Sequence, residues 1–247
     1  MSIHLQYRIF RIPLGCPSSI SCEDTPVPCG SLSNFDDILE MSPLDADRMP
    51  RRPFLAHPIY ACGPGEISLR QASLDPMPDY LYDRLKEEST EPEATLTGSP
   101  VNGELYAALI EGIWQRVECV RASKIDPTSL LVYLIDVGAF HYTKVSTLRR
   151  LNALSPFKKM LAFKCKLFGV APQGGADVWS RDAQLIVNDF FLSCQEHAVE
   201  VIPRGEWTNW HQMNAPSLPL VEASIRTHEG RDLADWLIYN RLAQPSI

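Results

Sequence analysis

The 247-residue chain has no apolar run approaching the ~20 residues that a membrane-spanning helix needs. Its first residues, MSIHLQYRIFRIPLGC, lack a continuous apolar core after a basic start, so no signal peptide is expected. Basic residues are in the minority. The 23 Lys+Arg against 30 Asp+Glu give a net charge of -7, which excludes a general nucleic-acid coat built on a basic surface. The motifs of common catalytic sites are missing too: there is no GxSxG, GxxxxGK[ST], HExxH or GxGxxG. Cysteines number seven, an odd count, and none forms a CxxC; Cys16, Cys22 and Cys29 have no nearby His pair to complete a metal site. These absences argue against an enzyme, a metal and a cofactor, and they favour a reduced, cytoplasmic setting.

What is present divides at about residue 53. Residues 1–53 carry seven prolines with many Ser, Asp and Cys, and read as a flexible tail able to hold a docking motif. Ile3, Leu5, Tyr7 and Ile9 alternate with polar residues like a strand, and Phe35 to Met41 is a short helix candidate behind Ser33 and Asn34. From Phe54 the pattern tightens. FLAHPIYA and EISLRQ are strand-like runs around a Gly63-Pro64-Gly65 turn, and Asp79 to Glu88 spaces its apolar residues like a helix. Five strand candidates follow closely: Leu105 to Ile110, Trp114 to Val120, Leu130 to Ile135, Phe140 to Lys144 and Leu148 to Leu151. Strands this closely spaced predict a small, strongly bent barrel. The last third reads as a strand (Leu161 to Val170), a helix (Ser180 to Phe191), strands Glu196 to Ile202 and Leu218 to Ile225 around a loop with Trp207 and Trp210, and a closing helix, Asp232 to Leu242.

Glu111-Gly112, Trp114, Arg116, Ile135-Asp136, Gly138 and Leu148-Arg149-Arg150-Leu151 stand in an order and spacing that resembles a Tudor domain. The flanking runs are similar to those of extended Tudor domains, in which a split OB-like (staphylococcal-nuclease-like) half surrounds the Tudor barrel. The resemblance covers about 54–243. It implies an α+β fold, one extended Tudor unit over 54–247 with its Tudor core at about 103–152. Trp114, Asp136 and Gly138 are read as structural: Trp114 as barrel core, and Asp136 as a carboxylate accepting backbone N–H groups beside a glycine turn.

Ligand-binding Tudor domains hold a methylated arginine among about four aromatic rings and an Asn. The resemblance places those positions at Leu109, Gln115, Leu134, Val137 and Ala139, of which none is aromatic and none is Asn. Each ring over a cation contributes roughly 0.5–2 kcal/mol, so losing all of them is expected to remove methylarginine recognition. A rearranged cage would have to use Tyr133, Phe140 and Tyr142, but Tyr133 and Leu134 point to opposite faces of one strand. The aliphatic replacements suggest a shallow apolar dish of Leu109, Leu134 and Val137, extended by Phe140 and Tyr142, filled either by a protein partner or by the chain's own tail. Lys144, Arg149, Arg150, Lys158, Lys159, Lys164 and Lys166 form a basic run without an intervening acid. It reads as a solvated face, or as a groove for an acidic peptide or an RNA strand. By resemblance the chain is a non-catalytic adaptor in germline small-RNA (Piwi or Argonaute) pathways, with protein partners, indirect RNA contact, no membrane, and a place in cytoplasmic, perinuclear granules.

Overall fold

The computed structural model describes residues 46–74, 76–123, 126, 128–151, 160–194, 197–210 and 218–246. The strand pattern of Ile3 to Ile9, the helix candidate Phe35 to Met41, and Lys158 and Lys159 lie outside the described residues.

Two barrels are nested in sequence. The chain begins the first with β1 (Phe54–Gly63) and β2 (Glu66–Gln71), an antiparallel hairpin. It then leaves through helix α1 (Pro76–Thr90), which buries Leu81 and Leu85, four residues apart, on one face. The second barrel follows as β3 (Leu105–Ile110), β4 (Ile113–Ala122), β5 (Ser129–Leu134), β6 (Ala139–Lys144) and β7 (Leu148–Arg150). Its strands pair in the order β6-β5-β4-β3-β7, all antiparallel. At the β3–β4 turn both central residues have positive φ, Glu111 at 51° and Gly112 at 83°. That twist matches the right-handed coil of the strands and closes the hairpin in two residues.

The chain then returns to complete the first barrel. β8 (Ala162–Leu167) pairs antiparallel with β2 and parallel with β12 (Leu218–Arg226). β10 (Val199–Pro203) pairs with β1 on one side and β12 on the other, so the ring β10-β1-β2-β8-β12 closes on itself. β11 (Thr208–Trp210) extends the sheet beyond β12, and β9 (Val170–Pro172) pairs with β13 (Ala243–Pro245). Helix α2 (Arg181–Ser193) is capped by Ser180, whose hydroxyl accepts from the Ala183 N–H at 3.1 Å, and buries Ala183, Val187, Phe190 and Phe191. Helix α3 (Leu233–Tyr239) is capped by Asp232, which accepts from the Ala234 N–H at 2.9 Å. Ile67, Leu69, Phe163, Phe191, Val201, Val221 and Leu237 belong to the core of this split barrel.

All five expected strands of the inserted barrel are present. Elsewhere the structure amends the sequence reading. The expected strand from Leu161 to Val170 is two strands, broken at a turn with Gly169 at φ 77°. The loop with Trp207 and Trp210 contains β11, and the closing helix stops at Tyr239 because Arg241 turns the chain (φ 58°) into β13. The folded unit also begins before Phe54. Met49 is 4% exposed within the split barrel's core, and the Trp207 Nε1–H donates to the Pro50 carbonyl at 2.9 Å.

Candidate functional site

The residues expected to form the dish do not share an open surface. Leu134, Val137 and Ala139 lie in the inserted barrel's core with Val117, Val132 and Leu148. Gln115 is also buried, at 3% exposure. The barrel's core is completed from the other barrel. The β1–β2 register shifts between Pro58 and Tyr60, and this bulge brings Ile59 and Tyr60 onto the inserted barrel's cluster. Tyr60 is 6% exposed. Leu109 is separated from the rest, because it pairs with Trp114 on the face of β3 opposite Ala108 and Ile110, both of them core residues. Neither a partner nor the tail is needed to fill the dish: the chain's own β1 packs there.

The rearranged cage is not formed either. Tyr133 and Phe140 are cross-strand partners whose tilted rings meet with centroids 5.0 Å apart, and they pack with Ile135 and Leu218 in a separate cluster. Tyr142 pairs with Leu131 and is 60% exposed. Phe140 and Tyr142 therefore stand on the face of the sheet opposite Leu134 and Ala139. Burial pushes the Tyr133 hydroxyl pKa well above its ordinary value.

The structural residues are held by a buried ion pair. Arg116 donates from Nε to Asp136 Oδ2 at 2.7 Å and from Nη2 to Asp136 Oδ1. The Leu161 N–H donates to Asp136 Oδ1 at 3.2 Å, so the carboxylate ties the β5–β6 turn to β4 and to the start of β8. A bidentate pair with an added backbone donor is the arrangement in which buried charges are satisfied. Nearby, burial first and the Asp136 charge second push the Tyr82 pKa up to about 12. Gly138 has φ 75°, and a Cβ there would meet Ser68 Oγ at 3.0 Å and Leu218 Cδ1 at 3.1 Å. Only glycine fits where this turn meets the split barrel. Trp114 departs from expectation. It lies outside the inserted barrel, packed with Leu81, Leu85 and Leu161 under α1, with the Arg149 guanidinium 5.9 Å from its ring centroid.

The described members of the basic run do not form one face. Arg149 and Arg150 are consecutive on β7 and point to opposite sides. Arg149 donates to the carbonyls of Ser146 and Leu148, and Arg150 to the Thr97 carbonyl and hydroxyl. Lys144 and Lys166 are exposed. Lys164 is fully buried at the seam between the barrels, donating to Glu66 and to the Gly138 carbonyl. Among the described residues, no three His, Cys, Asp or Glu side chains form a group able to hold a metal ion. No helix among them is long and apolar enough to cross a membrane.

The bulge at Ile59 and Tyr60 was not foreseen from the sequence, although a proline inside a strand pattern, Pro58, is a signal for such an irregularity. Nor was the buried role of Lys164, although its neighbours Phe163 and Cys165 are apolar.

Residues 56–169 match the model of the Tudor domain family. A Caenorhabditis elegans protein, tag-250, is 45% identical over 238 residues, which is 95% of this chain and 39% of that protein. This chain therefore spans well under half the length of that relative. Among solved structures, the extended Tudor domain of Drosophila melanogaster Papi bound to a Piwi N-terminal peptide superposes with a TM-score of 0.68 at 13% identity, covering 79% of this chain and 100% of that one. The human TDRD1 extended Tudor domain, bound to a symmetrically dimethylated peptide, superposes at 0.62 and 16% identity, covering 80% and 93%. The inserted barrel and the split barrel around it are the two halves of that fold: the chain carries a Tudor domain set in an extended Tudor unit.

Proposed function

We propose that this chain is a non-catalytic protein-interaction adaptor in which methylarginine recognition has been lost. It acts in a germline small-RNA or ribonucleoprotein-granule pathway, in the cytoplasm. The observation that carries this reading is the state of the five positions of the methylarginine cage. They are Leu109, Gln115, Leu134, Val137 and Ala139, and the last four are buried. Leu134, Val137 and Ala139 are packed in one cluster with Tyr60. None of the five positions offers a ring to a methylated guanidinium, which would have to displace core side chains to enter.

Protein partners of the Piwi or Argonaute class are supported by likeness alone, since the Papi domain above is bound to a Piwi peptide. They would use exposed side chains instead of a cage, such as Tyr142 and Lys144 on β6 and Arg150 on β7. RNA contact through the basic run is weakened by the burial of Lys164 and the carbonyl bonding of Arg149.

Calorimetry with paired arginine peptides, unmethylated and symmetrically dimethylated, tests the loss of recognition. Equal affinities are expected. A preference for the methylated peptide of about tenfold, worth about 1.4 kcal/mol, overturns it.

A further inference from the structure

Lys164 is on β8, which is paired on one side by β2 and on the other by β12. Its side chain is 0% exposed. An ammonium in such a place is tolerated only when its hydrogens are bonded and its charge is matched. Nζ donates to Glu66 Oε1 at 2.8 Å and to the Gly138 carbonyl at 2.6 Å. The Trp210 ring centroid lies 4.7 Å from Nζ and the Tyr60 ring centroid 6.0 Å. These distances are within reach of a cation–π contact. One carboxylate, one carbonyl and two rings thus surround one cation. They come from β1, β2, the β5–β6 turn and β11, so the site is assembled only when both barrels are in place.

We propose that Tyr60, Glu66, Gly138 and Trp210 form a seat for a primary ammonium, and that Lys164 is its internal ligand. Lys164 latches the OB-like barrel to the β5–β6 turn of the Tudor barrel and closes the seat to ammonium groups from outside. None of the five methylarginine positions contributes to it, so the seat stands whether or not methylarginine is read.

The test is chemical rescue in the full chain, with no peptide present. Lys164→Ala removes a propylammonium and leaves Glu66 without its partner. Its melting temperature should fall by roughly 10 °C. Millimolar n-propylammonium should then restore at least half of the loss, saturably. Sodium chloride at equal ionic strength should restore none, and the wild type should not respond. Lys164→Met fills the space without charge; it should melt below the wild type and show no rescue. A second measurement covers a Lys164→Ala chain that does not fold. In the wild type, the ¹⁵N-labelled ammonium of Lys164 should give a slowly exchanging, ring-shifted signal, and Trp210→Leu should remove most of the ring shift, leaving the smaller share of the more distant Tyr60 ring. The proposal is overturned if Lys164→Met is as stable as the wild type, if sodium chloride rescues as well as propylammonium, if Lys164→Ala folds but neither agent rescues it, or if the wild type shows no protected ammonium.

Discussion

The two barrels are built in opposite ways. The Tudor barrel is contiguous: its strands run in order from Leu105 to Arg150, and most pair with a sequence neighbour. The OB-like barrel is divided, with β1 and β2 before the insertion and β8, β10 and β12 after it. Contiguity would suggest that the Tudor barrel is the independent unit. The packing says otherwise, since its core is finished by Tyr60 from β1 and its β5–β6 turn rests on Ser68, Leu218 and Lys164. The divided barrel needs both flanks to close, and the contiguous one needs the divided one as a wall. Sequence continuity here measures how hairpins form, not what can fold alone.

The largest expected effect comes from separating the flanks. A fragment from Val101 to Ile247 lacks β1 and β2, which leaves β8 and β10 paired only with β12, each with one edge open, and the Tudor core without Tyr60. Unpaired strand edges and exposed apolar surface drive association. The fragment should therefore aggregate or unfold without cooperativity, read by size-exclusion chromatography and calorimetry. A monomeric fragment with a sharp transition would show that the Tudor barrel is self-sufficient after all.

A smaller break targets the charge inside the contiguous barrel. Asp136→Ala leaves Arg116, with 1% of its side chain exposed, without its carboxylate. Removing one partner of a buried pair costs about 3–5 kcal/mol. For a unit of this size that lowers the melting temperature by roughly 6–20 °C. The double change Arg116→Met with Asp136→Leu should recover much of the loss, because it removes both charges. Hydrogen exchange should show opening first in β4–β6. If Asp136→Ala opens the OB-like strands equally early, the two barrels are one cooperative unit.

The same contrast explains what the sequence could reveal. The Tudor strands were legible because each is short, apolar and bounded by turns such as Glu111-Gly112, all within one stretch of chain. Asp136 was legible as a structural carboxylate beside Gly138. Its partner Arg116 was visible as a motif residue, but their pairing was not, since it depends on the β4–β5 register. The dish failed for a related reason. Alternation gives the two faces of a strand, but it does not say which face meets another barrel. Tyr60 covers the core from a bulge far upstream, and Lys164 reads in sequence as one more surface base. Contacts across the seam depend on how two barrels dock, and no local pattern records that.

The smallest effect belongs to a turn wholly inside the contiguous barrel. Asp126, at the approach to β5, accepts from Ser129 Oγ at 2.6 Å, Thr128 Oγ1 at 2.7 Å and the Thr128 N–H at 2.9 Å. Led by the Ser129 bond, these donors favour the charged form and hold its pKa down at about 2, against an ordinary 3.8. The folded value lies below the unfolded one. The stabilisation is therefore complete above the unfolded pKa of about 4 and is lost as pH falls through about 2. An NMR titration should give an Asp126 midpoint near 2, with the Thr128 amide shift following it. Asp126→Asn should abolish that titration. Because Asp126 is only half-buried and its hydrogen-bond partners are local, the amide of Gly138 at the seam should not respond to the substitution or to protonation of Asp126. A seam amide that titrates together with Asp126 would mean that the turns of the Tudor barrel report to its wall, and that the contrast between local and cross-barrel contacts is drawn too sharply.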